Sequence, residues 1–230
     1  FEVGPQFKGE KPEDEITVAS GIRNREAIPR NWNVAARNVD VFDVKADVLS
    51  VLNQISRPAA SAQIVQGGPK WYHPGRSGTI QLGPKVTLAN FGELHPTVLK
   101  AMNNEGPVVG FEIYLDNIPL PKEKIKEKKR PKLELSPLQT VSRDFAFIVD
   151  TDVSAQDLIN TTSSADKKLI SDVVVFDVFT GGTLEENKKS VGISVTLQPI
   201  VTTLTDAEIE IVSDKIINKV AEKTGGFLRG

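Results

Sequence analysis

Hydrophobic and polar residues alternate most clearly in the second half of the chain. From Arg143 to Asp150, bulky Phe145, Phe147 and Val149 alternate with Asp144, Ala146 and Ile148, which predicts a strand with one bulky face. Ser154 with Asp157 three residues on has the spacing of a helix N-terminal capping box, and Leu158 and Ile159 supply the apolar side of a short helix. Asp172 to Phe179 reads as a second strand, apolar on both sides, and Gly181-Gly182 as a turn. In a third strand, Lys189 to Gln198, Val191, Ile193, Val195 and Leu197 fall on one face and Ser190, Gly192, Ser194 and Thr196 on the other. Thr205 and Glu208 repeat the capping spacing before a stripe of Ile209, Val212, Ile216, Ile217 and Val220. Gly225-Gly226 ends that helix, and Phe227 to Arg229 forms a short fourth strand.

The predicted order is therefore β-α-β-β-α-β, a ferredoxin-like open-faced sandwich over residues 138–230. Both helices of such a unit cover one face of the sheet, so the other face is left open. The third strand decides which residues line it. Its branched side must meet the helices, so Ser190 and Gly192 point away, and by the same logic Ala146 and Ile148 face out on the first strand. Asp177 and Phe179 share a face with each other, although the apolar second strand does not settle which face. A surface of small residues with one aromatic and one acid suits a flat ligand better than it suits a reaction.

Residues 1–120 read as a strand-rich mixed α/β module with a crossing helix. Extended segments are expected at Phe1 to Lys8, Ile16 to Arg23, Ala62 to Val65, Thr79 to Leu82, Val86 to Phe91 and Val108 to Leu115. One helix is signalled by Val41, Val44, Val48, Val51, Leu52 and Ile55, and Arg57-Pro58 ends it. Residues 121–137 are charged, proline-bracketed and nearly free of apolar side chains, the pattern of a linker.

Composition narrows the chemistry. With 39% hydrophobic and 25% charged residues, the chain has the make-up of a soluble globular protein, expected in the cytoplasm. No apolar run reaches the length of a membrane helix. The opening Phe1, with no initiator Met, suggests a fragment of a longer protein. The absence of cysteine excludes disulfides, thiolate metal sites and a cysteine nucleophile. His73-Pro-Gly-Arg76 and His95-Pro96 read as loop phrases rather than metal ligands, although His73 and Arg76 together could hold a phosphate. Neither Gly67-Gly-Pro nor Gly181-Gly-Thr has the spacing of a dinucleotide or P-loop motif, there is no Gly-x-Ser-x-Gly, and Glu185-Glu186 lies in a polar loop. No catalytic set emerges. RNA is the remaining candidate for the open face, but residues 138–230 carry nine Lys or Arg against fourteen Asp or Glu. Phosphate attraction is then weak, and affinity has to come from stacking on Phe179 or Arg229 and from hydrogen bonds to unpaired bases.

Several phrases in succession resemble one family. Arg143-Asp-Phe-Ala-Phe-Ile-Val149, Phe176-Asp-Val-Phe-Thr-Gly181, Lys189-Ser190, Thr203-Leu-Thr-Asp-Ala-Glu208 and Gly-Phe-Leu-Arg229 are similar to the ferredoxin-fold anticodon-binding domain that ends the beta subunit of bacterial phenylalanyl-tRNA synthetase. Phe1-Glu-Val-Gly, Val41-Phe-Asp-Val-Lys45, His73-Pro-Gly-Arg76, Phe91-Gly-Glu-Leu-His-Pro96 and Phe111-Glu-Ile-Tyr-Leu115 resemble the end of that subunit's class II synthetase-like module. The resemblance implies a non-catalytic carboxy-terminal fragment of a class II ligase, with any editing region upstream. Its partners would be phenylalanine tRNA and the alpha subunit of an alpha2beta2 assembly, with neither DNA nor a membrane. It implies no cofactor in the fragment, ATP and Mg2+ acting in the whole enzyme, and anticodon contacts at Ala146, Asp177, Phe179, Ser190 and Arg229. An ACT-like regulatory domain or a purely structural assembly domain is the alternative.

Overall fold

In the computed structural model, which describes residues 1–55, 62–119, 136–182 and 184–229, the chain forms two compact units, Phe1–Lys128 and Lys129–Gly230. Both are α+β with antiparallel sheets. The expected linker lies outside the described residues up to 135, as does Arg57-Pro58.

The first unit contains β1 (Glu2–Phe7), β2 (Glu15–Asn24), a short pair β3 (Glu26–Ile28) and β4 (Arg37–Asn38), α1 (Val41–Ile55), β5 (Gln63–Gln66), β6 (Tyr72–Leu82), β7 (Val86–Leu94), α2 (Pro96–Ala101) and β8 (Val108–Tyr114). Six strands form one sheet in the order β1-β2-β8-β7-β6-β5. Helix α1 buries Val44, Val48 and Leu52 against Ile80, Ala89, Phe91, Val109 and Ile113, the side of the helix that the apolar stripe marked. Its start is fixed by reciprocal capping: the Asp40 carboxylate accepts the N–H groups of Phe42 and Asp43, and the Asp43 carboxylate accepts that of Asp40. Strand β6 begins seven residues earlier than the alternation indicated. The phrase His73 to Arg76 is a bulge within it, where register with β7 slips between Tyr72↔Leu94 and Ser77↔Gly92. Pro74 and Gly75 are compatible with either a turn or a bulge, which is why the sequence alone reads as a turn.

The second unit contains β9 (Val141–Asp150), α3 (Ala155–Ser163), β10 (Ile170–Thr180), β11 (Lys188–Leu197), α4 (Asp206–Thr224) and β12 (Phe227–Leu228). Its sheet order is β10-β11-β9-β12. Both capping predictions hold. Ser154 Oγ accepts the Asp157 N–H at 3.0 Å, and Thr205 and Glu208 form a full capping box. Helix α4 ends at Gly225, whose φ of 65° is the left-handed conformation that glycine adopts without Cβ strain. Phe145, Phe147 and Val149 of β9 and Val191, Ile193, Val195 and Leu197 of β11 pack with Leu158 of α3 and Ile209, Val212, Ile216 and Val220 of α4. One face of the sheet is thus wholly committed to the core.

The Arg37 guanidinium forks onto Asp43 at 2.6 and 2.8 Å and tethers β4 to the start of α1. That hydrogen bond is the main reason the Asp43 carboxyl is held down to about 2 from its ordinary 3.8, with the Asp40 N–H assisting. A depressed folded-state pKa contributes stability above the ordinary carboxylate value that is lost as pH falls toward 2. NMR titration of the Asp43 carboxyl carbon is expected to show a midpoint near 2, and Arg37→Ala is expected to move it back toward the ordinary range.

Candidate nucleic-acid interface

Residues directly opposite on neighbouring strands share a face of the sheet. The register of the second unit therefore reads the open face row by row. One row is Phe179 (β10), Ser190 (β11), Ile148 (β9) and Phe227 (β12). The next is Asp177, Gly192 and Ala146, closed by Arg229, whose backbone N–H donates to the Ala146 carbonyl at 2.7 Å. Ala146, Asp177, Phe179, Ser190 and Arg229 thus stand in two adjacent rows on the face that no helix covers. They come from four strands or strand ends and from both ends of the unit's sequence.

Asp177 and Phe179 reach this face because of a β-bulge. Val173 and Val175 pair with Val195 and Ile193 and point to the helices. Unbroken alternation would send Asp177 and Phe179 the same way. Instead the register slips between Val175 and Asp177, so that Phe176 and Asp177 both stand opposite Gly192 and the strand's parity inverts. Gly192 is what makes room: a Cβ there would lie 2.9 Å from the Phe176 ring and 3.2 Å from Asp177 Cβ.

The exposures separate the site residues. Phe179 is 41% exposed and Arg229 is exposed, whereas Ser190, between Phe179 and Ile148 in its row, is only 4% exposed. Ser190 is a snugly placed small residue more than an accessible donor. Two aromatics that alternation alone did not place here join them, Phe176 at 60% and Phe227 at 52% exposure. For Phe176, the only hint in the sequence is that the apolar run Val173 to Phe179 fails to alternate, which is compatible with a bulge but does not locate one.

Carboxylates dominate the charge of the face. Asp144 and Asp172 stand opposite Ser194 and Thr196 on the same side, beside Asp177. Lys188, across from Asp150, is held in an ion pair with it at 2.7 Å, and this hydrogen bond raises the lysine's pKa. A ligand here meets rings and carboxylates before it meets cations, which favours the hydrogen-bond donors and π-faces of bases over phosphates.

The remaining candidate residues are structurally engaged. His73 Nδ1 accepts the Gly75 N–H and His95 Nδ1 caps α2 at Thr97, so both rings support local backbone. Arg76 is forked onto Glu93 and is not free for a phosphate. In the first unit a cavity of about 440 Å³ is lined by Trp71, Tyr72, Phe111 and Glu112. Burial raises the Glu112 pKa, and Trp71 Nε1 donates to its carboxylate at 3.1 Å. Among the described residues no cluster of three His, Asp or Glu could hold a metal, and no helix is long and apolar enough to cross a membrane.

The second unit is an open-faced βαββαβ sandwich of the ferredoxin-like class, and residues 136–229 match the family described as "Ferredoxin-fold anticodon binding domain". Residues 1–115 match the "Phenylalanyl tRNA synthetase beta chain CLM domain". The chain belongs to the phenylalanyl-tRNA synthetase beta chain family. It is 49% identical over 229 residues to the phenylalanine–tRNA ligase beta subunit of Rhodospirillum rubrum, and 48% identical to those of Bradyrhizobium diazoefficiens and Brucella melitensis. Each comparison covers all of this chain but only 28–29% of the relative, so the chain spans less than a third of the length of these relatives.

If Phe179 serves a ligand and not the core, its removal should cost little stability. Phe179→Ala is expected to lower unfolding free energy by under about 1 kcal/mol, whereas Phe147→Ala, at a fully buried site, is expected to cost about 3–5 kcal/mol. Urea denaturation of the two variants makes the comparison.

Proposed function

We propose that this chain is a non-catalytic part of a phenylalanine–tRNA ligase beta subunit, and that it holds the anticodon loop of phenylalanine tRNA on the open face of its second unit. The observation that carries this reading is the convergence of Ala146, Asp177, Phe179, Ser190 and Arg229 in two adjacent rows of an uncovered sheet. Phe179 supplies a stacking surface, Asp177 accepts hydrogen bonds from a base edge, and Arg229, exposed at the end of the Asp177 row, supplies a guanidinium. Ala146 and Ser190 keep the floor low enough for a base to approach. The first unit, with its antiparallel sheet backed by α1, acts as a class II synthetase-like module without a catalytic set. Its role is assembly with an alpha subunit, in an alpha2beta2 enzyme whose ATP and Mg2+ act elsewhere.

An isolated anticodon stem-loop of phenylalanine tRNA, followed by fluorescence anisotropy, is expected to bind this chain. Phe179→Ala should weaken binding by about 1–3 kcal/mol. With so few free cations on the face, the affinity should fall only slightly between 50 and 200 mM salt, unlike the roughly thousand-fold or greater loss of a protein that makes many phosphate contacts. No binding by the wild type, or a steep salt dependence together with an unchanged Phe179→Ala affinity, would refute the assignment.

A further inference from the structure

The anticodon reading uses one ring, Phe179, yet the bulge delivers two. Phe176 is the extra residue of β10, and its side chain lies across the sheet where Gly192 has none, with its ring atoms 2.9 and 3.0 Å from the position a Gly192 Cβ would take. The Phe179 ring is backed in the same way by Gly182, its Cζ 3.0 Å from the corresponding point. Each ring therefore lies close against a glycine. Both stay substantially exposed, Phe176 at 60% and Phe179 at 41%. Asp177 lies between them in sequence and on the same face.

An exposed phenylalanine costs solubility and contributes little to stability, so two of them, each seated on a glycine, call for a ligand. Phe176 stands with Asp177 opposite Gly192, two ladder positions from Phe179 opposite Ser190, about 7 Å along the strand, a distance that adjacent nucleotides of an unstacked strand can span. Phe227 stands three strand spacings from Phe179, about 14 Å across the sheet, too far to receive the neighbouring base. Of the two additional aromatics, Phe176 is the one placed to act with Phe179.

We propose that Phe176 is a second stacking surface, so that the open face takes two consecutive unpaired nucleotides, one on Phe179 and its neighbour on Phe176. This rests on the anticodon reading and extends it from one base to two. It gives the bulge a purpose: the strand takes up one extra residue, Phe176, which adds the second ring while Asp177 and Phe179 keep their outward direction.

The test uses this chain and anticodon stem-loops of phenylalanine tRNA carrying 2-aminopurine at one loop position at a time. Stacking on a ring alters the fluorescence of the probe. Two adjacent positions are expected to respond on binding to wild type. Phe179→Leu should abolish one response and Phe176→Leu the other, each weakening affinity about tenfold. Phe176→Met, which keeps apolar bulk at this exposed position but removes the planar ring, should reproduce the Phe176→Leu result. This variant decides the matter should Phe176→Leu fail to fold. If both Phe176→Leu and Phe176→Met leave every response unchanged while Phe179→Leu removes one, the second surface is refuted and the anticodon reading stands. If no position responds with wild type, both fall together.

Discussion

The constraint on which the candidate interface depends is the parity of a single β-strand. Along a strand, side chains alternate between faces, and in β10 the first valines are claimed by the helices, since Val173 and Val175 oppose Val195 and Ile193 in the core. Without a break, Asp177 and Phe179 would be turned to the helix side of the sheet, away from the open face. Because the extra residue, Phe176, is taken up as a bulge, both face outward. Gly192 on the neighbouring strand makes the insertion sterically possible. The same sequence run through β10 without the bulge would turn Asp177 and Phe179 away from the open face.

Charge gives that face its character. Asp144, Asp172 and Asp177 lie on the same side of the sheet, and Lys188 is paired with Asp150. Sheets that hold nucleic acid commonly draw much of their affinity from phosphate contacts. Here little such attraction is available, and under the proposed reading recognition would rest on rings and on a hydrogen-bond acceptor, discriminating between bases more than concentrating RNA.

Much of the second unit was legible in the sequence because each element carried a local signal with one meaning. The alternation in β9 and β11, the capping spacings at Ser154 and Thr205 and the glycines at 225 and 226 all correspond to the observed elements. The site residues were readable only in part. Ala146, Ser190 and Gly192 follow from the alternation of strongly patterned strands, whereas the orientation of Asp177 and Phe179 depends on a bulge inside a run of valines and phenylalanines that has no period of its own. In the first unit, the phrase His73 to Arg76 shows the opposite failure, since proline and glycine suggested an end to a strand that in fact continues through a bulge. The near burial of Ser190 was also invisible, because it arises from the bulk of its cross-strand neighbours and not from its own pattern.

The central claim, that the uncovered face of the second unit receives the anticodon loop, is tested most directly by amide chemical-shift mapping of this chain with the stem-loop of phenylalanine tRNA. The account predicts that the largest shifts fall on β10 around Asp177 and Phe179, on Ser190 and Ala146 and on the final residues through Arg229, with α3 and α4 little changed. Shifts concentrated on the helices, or confined to the first unit, would contradict it.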